Sequence, residues 1–422
     1  MHRFLLSASL FATILLLPAP AQEPPNDAQR LATACNAFAA DLHEKLALAG
    51  PPVCSPGSIA IALLMLLPGA EGETADEIAT VLHLPDDLRG QALHRAAKEL
   101  LQRTGLSRGG ASGDAATPLV ITNDLWVQQG LELAETYTKL LRDSFAAASH
   151  ELDFAADPEA ARAILNAAVA EATNQRIREL LQPSLVTSQT RVVLTNALWF
   201  QAGWSHAFAA SATADLPFTL AGGESVAVPT MRQTEHFGYG ESDAWQALAL
   251  PFAIGDVQFE VVVPRDGHDL AEAERGLLRR AYGTLREQRV AVELPRFTVR
   301  AAHRLRDPLQ ALGMRAAFDP VRADFSAMDP HDRIVVDDVV HETWIRVDEA
   351  GCEAAAATAV VLKLRGAVVQ GPPKQFRADR PFAFGLRDRQ TGLLLFVGRV
   401  HDPRAAQDGS MPHGAGGEPR ER

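Results

Sequence analysis

The chain has 422 residues, 47% of them hydrophobic, which is enough for a sizeable core and excludes disorder of the whole chain. A formal net charge of −12 argues against a general nucleic-acid or heparin binder, because no basic excess exists to displace counterions. Three cysteines, Cys35, Cys54 and Cys352, exclude a disulfide scaffold and leave at least one thiol free or bridged to another molecule.

Residues 1–21 read as an export signal: Met1-His2-Arg3 is weakly basic, Phe4 to Leu17 is apolar, and Ala19-Pro20-Ala21 is a small-residue cleavage site. The apolar run is shorter than the roughly 20 residues a membrane span needs, so no membrane partner is expected. Export places the mature chain outside the cell or in a periplasm. Residues 22–28 form a polar linker. Helical spacing of Leu31, Cys35, Phe38, Leu42 and Leu46 predicts a helix over 29–48, which Gly50-Pro51-Pro52 ends. Ser55-Pro56-Gly57-Ser58 caps a second helix, apolar on all sides from Ile59 to Leu67 and therefore buried. A third, amphipathic helix starts near Thr74 and ends at His83-Leu84-Pro85.

Residues 105–117 are a Gly/Ser-rich surface loop. Pro118 to Gln128 is strand-like, Pro158 to Leu181 is a long Ala-rich helix, and Arg191 to Phe200 reads as a strand buried on both faces. Strand-like runs follow at Ser225–Val228, Trp245–Phe252, Val257–Val263, Val290–Val299 and Ile334–Val347, with a short helix at Pro308–Leu312. Phe382–Arg387 and Leu393–Val400 form a hairpin around Asp388-Arg389-Gln390-Thr391-Gly392. Residues 404–422 are a polar, Gly-rich tail expected to be disordered. Length alone suggests two or three domains at about 150 residues each. Helices first and mainly strands afterwards favour one α+β unit instead.

Enzyme signatures are missing. Gly203-Trp204-Ser205-His206-Ala207 lacks the second Gly of a nucleophile elbow, and His43-Glu44, His150-Glu151 and His341-Glu342 lack metalloprotease spacing. No catalytic residue, metal site or cofactor is expected. His341 lies inside an apolar strand and reads first as a hydrogen-bonded core residue. Ser55 and Ser58 read as a helix cap, and Trp204 as a packing residue.

The stretch from Glu349 to Gly366, EAGCEAAAATAVVLKLRG, resists a single assignment. With period 2, one face carries Cys352, Ala354, Ala356, Thr358, Val360 and Leu362. The other carries Glu353, Ala355, Ala357, Ala359, Val361 and Lys363, so both charges fall together and the stretch could be a strand. Yet Gly351 and the Gly371-Pro372-Pro373 break enclose it like a loop.

Seven pieces in order carry a resemblance to the serpin family over about residues 27–403. They are Ser55-Pro56-x-Ser58-Ile59, Thr195-Asn196-Ala197 through Gly203-Trp204, Val292-Glu293-Leu294-Pro295-Arg296-Phe297 and Asp338-Val339-Val340-His341. Glu349-Ala350-Gly351 with its Ala run, Arg380-Pro381-Phe382-Ala383-Phe384 and Phe396-Val397-Gly398-Arg399-Val400 complete them. The resemblance implies one α+β domain over 29–403, with three β-sheets, eight or nine helices and an exposed reactive loop at about 349–373. In inhibitory members a protease cleaves that loop, which then enters the largest sheet as a new strand; serpin insertion is itself a standard example of strand addition and released strain.

Insertion requires an inward face without charge, which costs several kcal/mol unless paired, and without proline, which removes a ladder hydrogen bond. Cys352 to Leu362 meets both conditions. The hinge is then Glu349, Gly351, Cys352, Glu353, Ala354, Ala355, Ala356, Ala357 and Thr358. Arg365 stands 14 residues after Gly351, where the family places the scissile bond. The resemblance thus implies a trypsin-like serine protease as partner, trapped covalently at Arg365-Gly366, with Lys363 the second candidate. Ser55, Ser58, Asn196 and His341 match the family's hydrogen-bonded cluster beneath the sheet, and Trp204 the tryptophan where opening begins. A monomer is the family expectation. The alternative reading is a non-inhibitory binding or chaperone member.

Three departures stand out. Cys352 replaces the usual Thr or Ser and suggests a redox-sensitive thiol if exposed. Pro51 and Pro52 stand where relatives often carry Asn. Phe382 lies 17 positions beyond Arg365, an unusually long interval. The 105–117 loop stands in place of a basic helix and argues against heparin activation.

Overall fold

The computed structural model describes residues 24–48, 53–104, 119–253, 255–279, 283, 285–331, 334–352 and 371–404. The side chains of 119–123 and 196–199 also lie outside the described set. Within it are eight α-helices and three sheets of nine, four and three strands. No helix among the described residues is long and apolar enough to cross a membrane.

The first helix, Asp27–Leu46, starts two residues before the sequence reading and takes in part of the supposed linker. Its start is set by a capping box: Asn26 Oδ1 accepts the Gln29 N–H at 2.9 Å, and Gln29 Oε1 accepts the Asn26 N–H at 3.1 Å. Pro56–Leu66 is buried along its whole length, as its unbroken apolar run requires. It packs between Leu394–Val400 of the nine-stranded sheet and Val192–Phe200 of the three-stranded sheet. A buried cluster extends from Ala28 on the first helix to Val400 on the last strand.

The nine-stranded sheet runs in the order Val53–Cys54, Leu394–Val400, Phe382–Asp388, Val257–Pro264, Trp245–Pro251, Ser225–Glu241, Arg286–Pro295 and Lys374–Arg377. Ala214–Thr219 pairs separately with Ser225–Glu241. The three-stranded sheet is Ala148–Leu152, Leu119–Gln128 and Val192–Phe200; the four-stranded sheet is Phe297–Arg304, Val340–Val347, Gly351–Cys352 and Ala202–Gly203. These smaller sheets meet through the chain itself, since Val192–Phe200 continues past Gln201 into Ala202–Gly203. Val340–Val347 lies beside Val192–Phe200, but among the described residues no ladder joins them. We call this junction the seam.

Several boundaries differ from the sequence reading. The helix expected over 158–181 is Pro158–Ala172. It stops because the Thr173 hydroxyl donates to the Val169 carbonyl at 2.8 Å and accepts the Ile177 N–H at 3.1 Å, and Asn174 and Gln175 turn to positive φ. The run 290–299 is two strands, parted at Arg296, and the 334–347 run is a strand only from Val340 to Val347. Val192 to Leu194 are half-buried rather than buried on both faces. Helices Gln91–Arg103, Glu135–Phe145 and Leu270–Leu278 carry no match in the sequence reading. Gln91–Arg103 bears Arg95, Lys98 and Arg103 beside Glu99, so a basic helix does precede the 105–117 loop. That loop lies outside the described residues, as do residues 1–23, with the expected signal and the first two linker residues, and 405–422 of the tail.

Candidate functional site

The site is built at the upper end of the seam, where Gly351 and Cys352 already form a short strand. Cys352 pairs with Val347 on one side and Ala202 on the other, and Gly351 pairs with Gly203. Gly351 has φ +155, and a Cβ there would overlap the Ala202 carbonyl oxygen, so the close approach of the two backbones requires glycine. Cys352 is completely buried. Burial first, and then the charge of Asp348, pushes its thiol well above the usual cysteine range. The exposed, oxidisable thiol suggested by the sequence is therefore not present: the side chain occupies the inward position that period 2 assigns it.

Trp204 clamps the approach to this strand. Its indole N–H donates to the Asp348 carbonyl at 2.9 Å and its backbone N–H to the Ala350 carbonyl at 3.0 Å. The ring stacks on Phe252 with centroids 4.8 Å apart and planes 10° apart. Glu349 is fixed by Arg296 and by the Thr213 hydroxyl, and its carbonyl accepts the Phe208 N–H at 3.0 Å. Burial works against its ionisation, but the bonds from Arg296 and Thr213 outweigh it and hold the carboxyl below the usual range. Val347, Asp348, Glu349 and Ala350 thus enter the Gly351 turn with their backbone and charge satisfied.

Lower on the seam, His341 and Ser55 come together as the sequence proposed. His341 Nε2 accepts the Ser55 N–H at 3.0 Å, and the Ser55 hydroxyl donates to the Leu395 carbonyl at 2.6 Å. The sequence reading of Ser55 as a side-chain helix cap is not seen; its hydroxyl reaches the last strand instead. Ser58 is buried, and its hydroxyl has no partner among the described residues. Asn196 pairs with Asn123 along the backbone, but its side chain lies outside the described set. Glu353, Ala354, Ala355, Ala356, Ala357, Thr358, Lys363, Arg365 and Gly366 also lie outside the described residues.

Three site residues carried no local signal. His303 faces His341 across the ladder and holds the Val53 carbonyl at 2.7 Å. Arg296 and Thr213 reach Glu349 from segments 53 and 136 positions away. Only the folded register brings them in. The described site contains no arranged nucleophile and base facing solvent: Cys54 lies 3.9 Å from His43, which contacts Glu274 at 2.6 Å, but all three are buried and burial raises the Cys54 thiol far above its ordinary value.

The family model "Serpin (serine protease inhibitor)" matches residues 33–403. An uncharacterized serpin-like protein of Thermococcus kodakarensis is 38% identical over 377 residues, covering 88% of this chain and 85% of its own. The leukocyte elastase inhibitor of Bos taurus is 32% identical over 392 residues, covering 89% of this chain and 100% of its own. Among solved structures, Serpin48, described as a highly specific serpin in the insect Tenebrio molitor, superposes with a TM-score of 0.76 at 29% identity, covering 89% of this chain and 98% of the other. Three sheets and eight helices among the described residues match the fold of those proteins, and the chain belongs to the serpin family.

Proposed function

We propose that the protein inhibits trypsin-like serine proteases by covalent trapping at Arg365-Gly366. The observation that carries this reading is the Gly351–Cys352 strand. Cys352 already sits between Val347 and Ala202, with Gly351 paired to Gly203, at the upper end of the seam. The next inward positions by alternation, Ala354, Ala356 and Thr358, are small and uncharged, which suits further entry. A non-inhibitory member would tolerate bulk or charge there.

In the proposed reaction the protease serine oxygen attacks the Arg365 carbonyl carbon, the Gly366 amine leaves with a proton, and an ester remains. The chain from Glu353 to Arg365 enters the seam and carries the esterified protease with it, before water can complete hydrolysis. Arginine at the cleaved bond suits a pocket with an acid at its base. The inhibitor supplies bait and movement, and no catalysis of its own.

We also infer that the chain is exported through residues 1–21, to a periplasm or the outside medium, and acts as a monomer without a cofactor. Net charge −12 disfavours heparin as an activator, although Gln91–Arg103 presents a few basic residues.

Mixing the protein with trypsin and separating the products on a denaturing gel tests the reading. A complex of summed mass that survives boiling in detergent is expected. Its loss in Arg365→Ala, with the fold intact by circular dichroism, is expected too. Cleavage with trypsin left fully active rejects inhibition; a complex that persists in the variant moves the reactive bond, with Lys363 next to be tested.

A further inference from the structure

On Val340–Val347, His341, Thr343, Ile345 and Val347 face the core, so Val340, Glu342, Trp344 and Arg346 face the opposite side. That outer face is covered by the Pro158–Ala172 helix and the segment after it. Ala161, Leu165, Leu181 and Val186 cluster with Trp126 and Phe154 and pack against both Val193 and Val340. Val169, Ile177 and Leu180 pack against Val340 as well. Val193 belongs to one side of the seam and Val340 to the other. Helix and following segment therefore make a strap across it.

The strap is a unit in itself. Asn166 accepts the Leu181 N–H at 2.8 Å and donates to the Leu181 carbonyl at 2.9 Å; Arg162 donates to the same carbonyl at 2.8 Å. Its hold on the three-stranded side is broad and apolar, through Trp126, Phe154 and Val193. Its hold on the four-stranded side includes Val340 and the Arg176 guanidinium 5.1 Å above the Trp344 ring. Arg176 lies on the bend that ends the helix, at the margin of the strap that has to part from Val340–Val347 if a strand is to enter.

We propose that Arg176 on Trp344 latches the strap to the four-stranded side of the seam, and that its release helps set the rate of strand entry. This deepens the trapping reading and rests on it for the origin of the entering strand. Both residues are positioning residues: neither touches the protease. Because entry competes with hydrolysis of the ester, a weaker latch shifts the outcome towards trapping.

The variants Arg176→Gln and Trp344→Phe test this with trypsin and with hydrogen exchange on the uncleaved protein. Arg176→Gln retains the stem of an exposed side chain and leaves the core untouched. We expect it to lower the ratio of cleaved to trapped inhibitor about two- to fivefold, the range for loss of one exposed cation–π contact. Trp344→Phe is expected to act in the same direction, and the double variant to add little to either. Amides of 174–181 should exchange faster in Arg176→Gln while those of 159–170 stay protected. An unchanged ratio with normal wild-type trapping overturns the role in entry. Unchanged exchange over 174–181 overturns the latch itself. If the wild type forms no complex, the trapping reading fails, and the exchange result alone decides whether the latch exists.

Discussion

A buried imidazole that accepts a backbone N–H has to be neutral at that nitrogen, and His341 is held so by its surroundings. Its Nε2 takes the Ser55 N–H. Burial, and then the charge His303 would carry across the ladder, pushes it down to about 3 from the usual 6.5. A group with its folded value depressed in this way contributes stability that is complete above about pH 6.5 and is lost progressively towards pH 3, by up to about 1.4 kcal/mol per pH unit. His303 shifts in the same direction, by burial, against a smaller opposing pull from the Val53 carbonyl. We expect the urea midpoint of the uncleaved protein to fall between pH 7 and pH 5, and to fall less steeply in His341→Gln. Parallel curves would place the acid sensitivity elsewhere. His341 was recognisable in the sequence as a polar residue in an apolar strand, and the family resemblance grouped it with Ser55, 286 positions away, but His303 becomes its neighbour only through register.

At the scale of elements, the hinge turns on one glycine. Any side chain at Gly351 has to displace the Ala202 carbonyl or withdraw the Gly351–Cys352 strand from between Val347 and Ala202. Gly351→Ala is therefore expected to expose the Cys352 thiol, which is buried in the parent, to a thiol reagent under native conditions. The same variant should leave more cleaved inhibitor per trapped protease. A thiol as unreactive as in the parent would mean the backbone absorbs the Cβ without moving the strand. Alternation alone made this element legible, because Cys352 falls on the inward face in both readings. Elsewhere local pattern misled. Apolar spacing continues from Pro158 to Leu181, yet the chain breaks at Thr173 because a side-chain hydroxyl replaces a helical bond and Asn174 and Gln175 adopt positive φ. The split at Arg296 was equally hidden: adjacent strands on either side of it serve two different sheets, and no composition change marks the passage. Hairpin chemistry, by contrast, was readable where the signal is short-range, as at Asp388–Gly392, whereas the Asn26–Gln29 capping box lay hidden in what reads as a polar linker.

For the whole molecule, the separation of the four- and three-stranded ladders states where the uncleaved fold is incomplete as a hydrogen-bonded sheet. Val192–Phe200 has a ladder partner in Leu119–Gln128, and Val340–Val347 in Phe297–Arg304, but the described residues supply no ladder between them below Cys352. A strand of about ten residues entering there would gain roughly ten or more backbone hydrogen bonds, each worth on the order of 1 kcal/mol net. Ordering those residues costs about 1–2 kcal/mol each, which roughly cancels the hydrogen bonds, so burial of the small apolar inward side chains decides the sign and a rise in thermal midpoint is expected when the strand enters. Limited cleavage at Arg365-Gly366 by a trace of trypsin, followed by thermal unfolding, should show that rise in the wild type. Ala356→Arg, which sends a charge inward during entry, should be cleaved at the same rate but show little of it, because an unpaired buried charge costs several kcal/mol and the strand would stop short. Both halves are needed: a cleaved wild type no more stable than the intact protein would mean that the seam takes no strand, whereas an equally stabilised Ala356→Arg would mean that a strand enters with the opposite face inward.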